Sequence, residues 1–140
     1  MTDSQLTHEM IGASIEVHRI LGPGLLESAY KECLVYELQV RRPRFERQKP
    51  LPLVYKDTKL DCGYRADLIV EGRVVVELKT VDALAPIHDA VVLTYLRLSR
   101  CPIGLLINFH TAVWKDGIRR LVLNYHEDEA GRKPLRRRDG

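Results

Sequence analysis

Hydrophobic and polar residues alternate at helical spacing through the first forty positions of the chain. Over residues 3–21 apolar side chains recur every three or four positions with polar residues between them, which predicts an amphipathic helix. The Gly-Pro-Gly sequence at 22–24 ends it, because proline and glycine interrupt the helical pattern. A second helix is predicted from about residue 25 to residue 40. The apolar positions of the first helix are Leu6, Met10, Ala13, Val17 and Ile20.

The pattern becomes that of β-strands between residues 51 and 79. A short strand is predicted over residues 51–55, with a turn at Asp57 before the next one. Residues 64–70 and 73–79 are rich in β-branched side chains. Glu71-Gly72 lies between these two runs, so they are predicted to form a β-hairpin. Three prolines exclude a long helix through residues 43–52.

The last third of the pattern predicts one more helix and further strands. Residues 87–99 form a helix with apolar residues on more than one side, which indicates that it is largely buried. Residues 103–108 are an apolar run typical of a buried strand. Asp116-Gly117, flanked by residues 113–115 and 118–123, predicts a second hairpin.

The element order is thus α α β β β α β β, without an internal repeat or a second core. A length of 140 residues, with 45% hydrophobic and 29% charged residues, is typical of one globular domain and excludes general disorder. We expect a single domain over residues 1–126 and a basic, flexible tail over residues 127–140. No uncharged stretch approaches the roughly 20 apolar residues that a membrane helix needs.

Three cysteines lie far apart without a CxxC pair. This spacing excludes a disulfide framework and a zinc finger, and it favours a cytoplasmic location.

The charges are unevenly distributed. The last ten residues and residues 41–49 each carry a net charge of +4, whereas the whole chain carries +3, so the rest of the chain is acidic. Basic clusters of this kind can bind phosphates, although a solvated loop and a loose tail are the alternative. The cations of the internal cluster, our candidates for nucleic-acid binding, are Arg41, Arg42, Arg44, Arg47 and Lys49.

The first predicted hairpin contains the residues with the clearest chemical potential. Strand alternation places Val75, Glu77 and Lys79 on one face. A two-residue loop of Glu71-Gly72 would place Asp67 opposite Val76, on the other face. A three-residue loop over 70–72 would place Gly72 at the left-handed position that such loops favour, and it would pair residues whose numbers sum to 142. Asp67 would then lie opposite Val75 and diagonal to Glu77, about 7–8 Å away. Both carboxylates could hold one cation between them.

Two carboxylates on one face suit Mg²⁺, which prefers oxygen ligands. The backbone carbonyl of Leu78 could supply a third oxygen, and Lys79 could orient a water or help to deprotonate it. Such a metal neutralises charge that develops on a phosphoryl oxygen, so this set of residues suits phosphodiester hydrolysis. The alternative is a cross-strand ion-pair cluster in which Lys79 pairs with Glu77 or Asp67.

Asp67 followed by Glu77-x-Lys79 in a hairpin resembles the PD-(D/E)XK nuclease superfamily, although Ala66 stands where that motif has proline. The chain more closely resembles the family named for its GxxExxY motif, which corresponds here to Gly24–Tyr30. The resemblance covers about residues 5–125. It rests on the phrases IGASIEVHRILGPGLLESAY, GYRADLIV, VVVELKTV, LTYLRLS and GLLINF.

This resemblance implies an α/β (α+β) fold of the restriction-endonuclease type. Its αβββαβ core has a mixed sheet flanked by helices and a metal-dependent nuclease site that uses Mg²⁺ or Mn²⁺. Glu27 would reach the metal directly or through water, unless it only supplies favourable charge at a helix N-terminus. Tyr30 and Tyr95 would lie near the site or in the core. In the family phrase HEAQLLTY a glutamine precedes the tyrosine by four residues, and Val91 takes that position here.

The first hypothesis is therefore a magnesium-dependent nuclease that hydrolyses DNA or RNA and has no membrane partner. The alternative is a non-catalytic descendant that binds nucleic acid or a protein through the same fold. A module that forms a homodimer through its helices is a further alternative. The presence of Asp67, Glu77 and Lys79 together favours the enzyme. Val91 at the glutamine position, and the net negative charge of the chain outside its two basic clusters, favour the non-catalytic alternative.

Overall fold

Three helices and a mixed sheet make up the computed structural model, which describes residues 1–124 and 136–139. The helices are α1 (Asp3–Leu21), α2 (Glu27–Arg41) and α3 (Pro86–Ser99). The strands are β1 (Phe45–Pro50), β2 (Leu53–Tyr55), β3 (Thr58–Leu60), β4 (Arg65–Val70), β5 (Val74–Lys79), β6 (Ile103–Asn108), β7 (Ile118–Asn124) and β8 (Arg136–Asp139). A short 3₁₀ helix covers Trp114–Gly117.

The main sheet has the strand order β1-β4-β5-β6-β7-β8, and β2 and β3 form a separate hairpin. Neighbours in the main sheet are antiparallel except β5 and β6, which are parallel because α3 connects them as a crossover helix. This arrangement confirms the predicted α+β fold of the restriction-endonuclease type.

Helices cover both faces of this sheet, and the side-chain alternation of β5 divides them. Val74, Val76 and Leu78 pack in one core with α1 and α2. Val75 packs on the opposite face in a second core, which also contains residues of α3. The predicted two faces of β5 are therefore confirmed. Gly104 allows α3 to lie close to the sheet, since a methyl group there would come within 2.7 Å of the Val92 side chain.

The helix predictions hold in position but not always in burial. α1 has the predicted bounds, and α2 begins two residues later than expected. The expectation that α3 is largely buried is wrong. Val92 and Leu96 are its buried apolar residues, whereas Ile87 is 65% exposed. The helix contacts the rest of the chain through one side because it lies across the sheet surface.

The predicted register of the β4–β5 hairpin is wrong by two residues. Ile69 pairs with Val75, so paired residue numbers sum to 144 rather than 142, and the same register places Asp67 directly opposite Glu77. The loop is 71–73, closed by a hydrogen bond from the N–H of residue 73 to the carbonyl of residue 70. Gly72 still has the expected left-handed conformation, with φ of 64°. A shift by two preserves the faces of a strand, so the carboxylates still come together.

The second predicted hairpin does not form. Residues 113–115 are not a strand, and Asp116-Gly117 belongs to the short 3₁₀ helix. β7 pairs instead with β6, where Ile107 lies opposite Ile118. Gly117 is tightly enclosed, since a methyl group there would come within 2.1 Å of the Asn108 carbonyl oxygen.

The basic stretch contains a strand that the sequence pattern does not indicate. β1 forms the outer strand of the sheet beside β4, with Phe45 opposite Val70. Most of the predicted tail, residues 127–135 and 140, lies outside the described residues. Residues 136–139 form β8, which pairs antiparallel with β7.

Candidate active site

The β4–β5 hairpin brings two buried carboxylates together. Asp67 is 9% exposed and Glu77 is 4% exposed. Backbone pairing between the strands ends at Leu68 and Val76, and carboxylates then accept hydrogen bonds from the facing backbone. The Asp67 N–H donates to Oε1 of Glu77 (2.7 Å), and the Leu78 N–H donates to Oδ2 of Asp67 (2.9 Å). These two bonds fix both side chains in place.

Each carboxylate keeps one oxygen that no backbone group occupies. Oδ1 of Asp67 lies 2.8 Å from the ammonium nitrogen of Lys31 and 3.4 Å from Nε2 of Gln48. Oε2 of Glu77 makes no hydrogen bond within the part of the chain that the structure describes. The pair thus presents two oxygens for a cation, one of which already contacts an ammonium group.

The charges of this cluster are strongly coupled. Burial, followed by the negative charge of Asp67, raises the pKa of Glu77 to about 8. The Lys79 and Lys31 charges act against this rise. Burial and the charges of both carboxylates raise the pKa of Tyr95, so this tyrosine of α3 lies within their field. Glu77 is therefore only partly ionised near neutral pH.

The alternative of an ion pair between Lys79 and one of the carboxylates is not what the structure contains, because Lys31 makes that contact. The Lys79 ammonium forms no ion pair with a described residue and acts on Glu77 only through its field. Lys31 of α2 contacts Asp67 instead and also lies 3.3 Å from Oε2 of Glu27. Lys31 is not among the residues predicted for the site, although its position four residues after Glu27 is the spacing of a helical ion pair.

Glu27 is the first residue of α2, and the turn before it has a specific conformation. Gly24 has φ of 103°, in the region that glycine adopts without steric cost. The hydroxyl of Tyr30 donates to the Gly22 carbonyl and accepts from the Leu25 N–H. The Tyr30 ring is fully buried. The glycine and tyrosine of the GxxExxY sequence therefore fix the start of α2, which positions Glu27 and the lysine one turn later.

A comparison with known protein families shows the family of the chain. The family model of the PD-(D/E)XK nuclease superfamily matches residues 4–121, from α1 into β7. The chain belongs to the PD-(D/E)XK nuclease superfamily. Membership suggests a nuclease with a nucleic-acid substrate, and nucleases of this superfamily generally use divalent metals. No curated protein and no solved structure matches the chain.

The free oxygens of Asp67 and Glu77 are of the type that suits a divalent metal, but they do not form a complete set of ligands. Oδ1 of Asp67 and Oε2 of Glu77 are hard oxygen donors of the type that Mg²⁺ prefers. The Lys31 ammonium shows that a cation can lie against the first of these oxygens. Within the described ranges, no three His, Cys, Asp or Glu side chains gather as a metal site. A bound Mg²⁺ would therefore also need water, backbone or substrate oxygens.

Tyr95 of α3 is an aromatic residue close enough to feel the charges of the two carboxylates. Tyr95 packs edge-on against Tyr64, with ring centres 6.1 Å apart. Both rings line a small depression of about 150 Å³ together with Val91, which is half-buried there. Val91 thus supplies apolar surface beside Tyr95.

The basic residues proposed for nucleic-acid binding are mostly engaged in ion pairs. Arg41 pairs with Glu9 and Glu37, Arg44 with Glu71, Arg47 with Glu32, and Lys49 with Glu46. Arg42 has no such partner within residues 1–124 and 136–139. Arg47 and Lys49 flank Gln48, which approaches Asp67, so these two are the cations of this set nearest to the carboxylates along β1. No helix among the described residues is long and apolar enough to cross a membrane.

Proposed function

We propose that this protein is a metal-dependent nuclease that hydrolyses phosphodiester bonds of DNA or RNA with Mg²⁺, and with Mn²⁺ as an alternative. The observation that carries the proposal is the buried pair of Asp67 and Glu77. Each of them is fixed by one backbone hydrogen bond and keeps one oxygen for a cation. Two buried carboxylates repel each other when both are ionised, and a cation bound between them relieves this repulsion.

The protein groups have separate roles in this proposal. Asp67 and Glu77 would hold the metal, with the Leu78 carbonyl as a further oxygen. The bound metal would neutralise charge on the phosphoryl group. Lys79 adjoins Glu77 and forms no ion pair with a described side chain, so its ammonium can orient the attacking water. Water attacks phosphorus, one P–O ester bond breaks, and the leaving oxygen takes up a proton.

Two further sets of residues would serve the substrate. Tyr95 and Tyr64 offer aromatic faces beside the carboxylates, on which a base can stack. The basic residues of the α2–β1 region would bind phosphates, with Arg47 and Lys49 best placed among them because they flank Gln48, which approaches Asp67. For the paired cations this binding requires that their acidic partners release them.

The test is cleavage of labelled single- and double-stranded DNA and RNA with Mg²⁺, with Mn²⁺ and with a chelator. We expect cleavage of at least one substrate with metal and none with chelator. Asp57→Asn is a matched control for Asp67→Asn, because Asp57 is an exposed residue of the β2–β3 turn. Cleavage that survives the chelator or persists in Asp67→Asn would contradict the proposal.

A second candidate is a non-catalytic module that binds nucleic acid without metal. The Lys31 ammonium on Asp67 favours it, because a lysine can neutralise an acidic pair permanently. This candidate predicts binding that is unchanged by chelator and by Asp67→Asn, with no cleavage of any substrate. Filter binding with and without chelator therefore separates the two functions.

A further inference from the structure

Lys31 lies against the Asp67 oxygen that is proposed to bind a metal ion. Its ammonium lies 2.8 Å from Oδ1 of Asp67 and 3.3 Å from Oε2 of Glu27, and its side chain is 23% exposed. The contact with Asp67 joins α2 to β4, two elements that are far apart in sequence. It is therefore a tertiary interaction of the site rather than a surface pair of one helix.

The two carboxylates leave little choice of ligand atoms. Oδ2 of Asp67 and Oε1 of Glu77 already accept backbone N–H groups, so Oδ1 and Oε2 are the oxygens most open to a cation shared by the pair. The Lys31 ammonium already lies on Oδ1. A metal and this ammonium cannot both approach the oxygen closely, because like charges repel strongly at a few ångströms.

We propose that Lys31 is the internal counter-cation of this site. It neutralises Asp67 in the metal-free protein and must withdraw from Oδ1 when a divalent ion binds, so it lowers the affinity for metal. The inference rests on the proposed metal-dependent function. Glu27 gives the ammonium a second carboxylate one helical turn away, and the flexible lysine stem can move between the two. Glu27 then positions Lys31 and need not touch the metal.

The first experiment measures Mn²⁺ binding by electron paramagnetic resonance on the full chain near neutral pH. Lys31→Met keeps the length of the side chain and removes its charge. We expect Mn²⁺ to bind roughly tenfold more tightly to this variant, within the range for coupled neighbouring groups. Lys59→Met, on the exposed strand β3, removes one charge elsewhere and should leave the affinity unchanged. Equal or weaker binding by Lys31→Met would overturn the proposal.

The second experiment needs no metal. We expect Lys31→Met to lower the melting temperature, because it exposes Asp67 to the repulsion of Glu77. The same substitution should have little effect in an Asp67→Asn background, where the ion pair is already absent. An equal effect in both backgrounds would contradict the proposed contact. If Lys31→Met does not fold, Lys31→Arg replaces it. The Lys31→Arg protein keeps a positive charge beside Asp67, so it should bind Mn²⁺ no more tightly than wild type, and tighter binding would overturn the inference.

Nuclease assays on the same variants distinguish this inference from the proposed function. If Lys31→Met binds Mn²⁺ more tightly and no variant cleaves nucleic acid, the counter-cation role holds and the nuclease function fails. If wild type cleaves and both proteins bind Mn²⁺ equally, the function holds and the counter-cation role fails. If neither protein binds Mn²⁺, the inference is overturned.

Discussion

The acidic pair on the β4–β5 hairpin and the basic stretch on β1 lie side by side in the sheet. They differ in the burial of their charges and in the number of oppositely charged partners. Asp67 and Glu77 are buried and hydrogen-bond to the backbone, and one lysine partly neutralises them. The basic stretch is largely exposed, and most of its cations have an acidic partner of their own. The acidic region thus carries uncompensated charge, whereas the denser basic region is nearly balanced.

This difference shows that the density of charge in a sequence is a poor guide to its availability. Exposed ion pairs such as Arg47–Glu32 are typically worth less than about 1 kcal/mol, because water screens both partners. In the acidic pair the charges are shielded from water: burial, followed by the negative charge of Asp67, raises the pKa of Glu77 to about 8. Substitutions in the two regions should therefore differ greatly in their effects.

The largest effect is expected for Asp67→Asn. The variant keeps an oxygen for the Leu78 N–H but lacks the charge that binds a metal, so Mn²⁺ affinity and cleavage should fall by more than about a hundredfold. Changes around metal ligands, by comparison, typically cost 10–100-fold. Calorimetric titration and a cleavage assay measure both quantities. Loss of cleavage with unchanged Mn²⁺ affinity would show that Asp67 is not a ligand.

A smaller effect is expected on stability when Glu77 is replaced by Gln. The raised pKa means that the native state binds more protons than the unfolded state between about pH 4.5 and 8. Stability therefore falls as pH rises through this range. Without metal, Glu77→Gln should melt roughly 5 °C above wild type at about pH 9 and at nearly the same temperature at about pH 5.

The control for this prediction is Glu46→Gln, since Glu46 is an exposed acid of β1. Its melting temperature should follow wild type at every pH. A melting temperature for Glu77→Gln that lies below wild type at high pH would mean that the ionised carboxylate stabilises the fold. The pair would then be a structural ion-pair cluster rather than a metal site.

The fold and the meeting of the two carboxylates could be predicted because both depend on periodicity. A register error of two residues leaves each strand face unchanged, so Asp67 and Glu77 come together despite the wrong loop. β1 could not be predicted, since it is an outer strand whose one large apolar residue before Pro50 is Phe45. The contact of Lys31 with Asp67 depends on the packing of α2 against the sheet, which no local pattern encodes.

The smallest effects are expected in the basic stretch, and they should depend on position. α2 spans about 20 Å, so Arg42 at its end lies far from Glu27, whereas Lys49 follows the residue that approaches Asp67. Each phosphate contact adds about 0.9 to the log–log salt slope of binding to duplex DNA. We expect Lys49→Ala to reduce this slope by up to about 0.9 and Arg42→Ala to leave it unchanged.

Glu46→Gln sharpens this last comparison because it releases Lys49 from its ion pair without removing the cation. If Lys49 contacts a phosphate, this variant should bind duplex DNA more tightly at low salt than wild type, since the contact no longer requires the pair to open. Binding measured from low to moderate salt, with Asp67→Asn in place to prevent cleavage, gives all the slopes. Identical slopes for wild type, Lys49→Ala and Glu46→Gln would show that Lys49 balances Glu46 and does not touch the substrate.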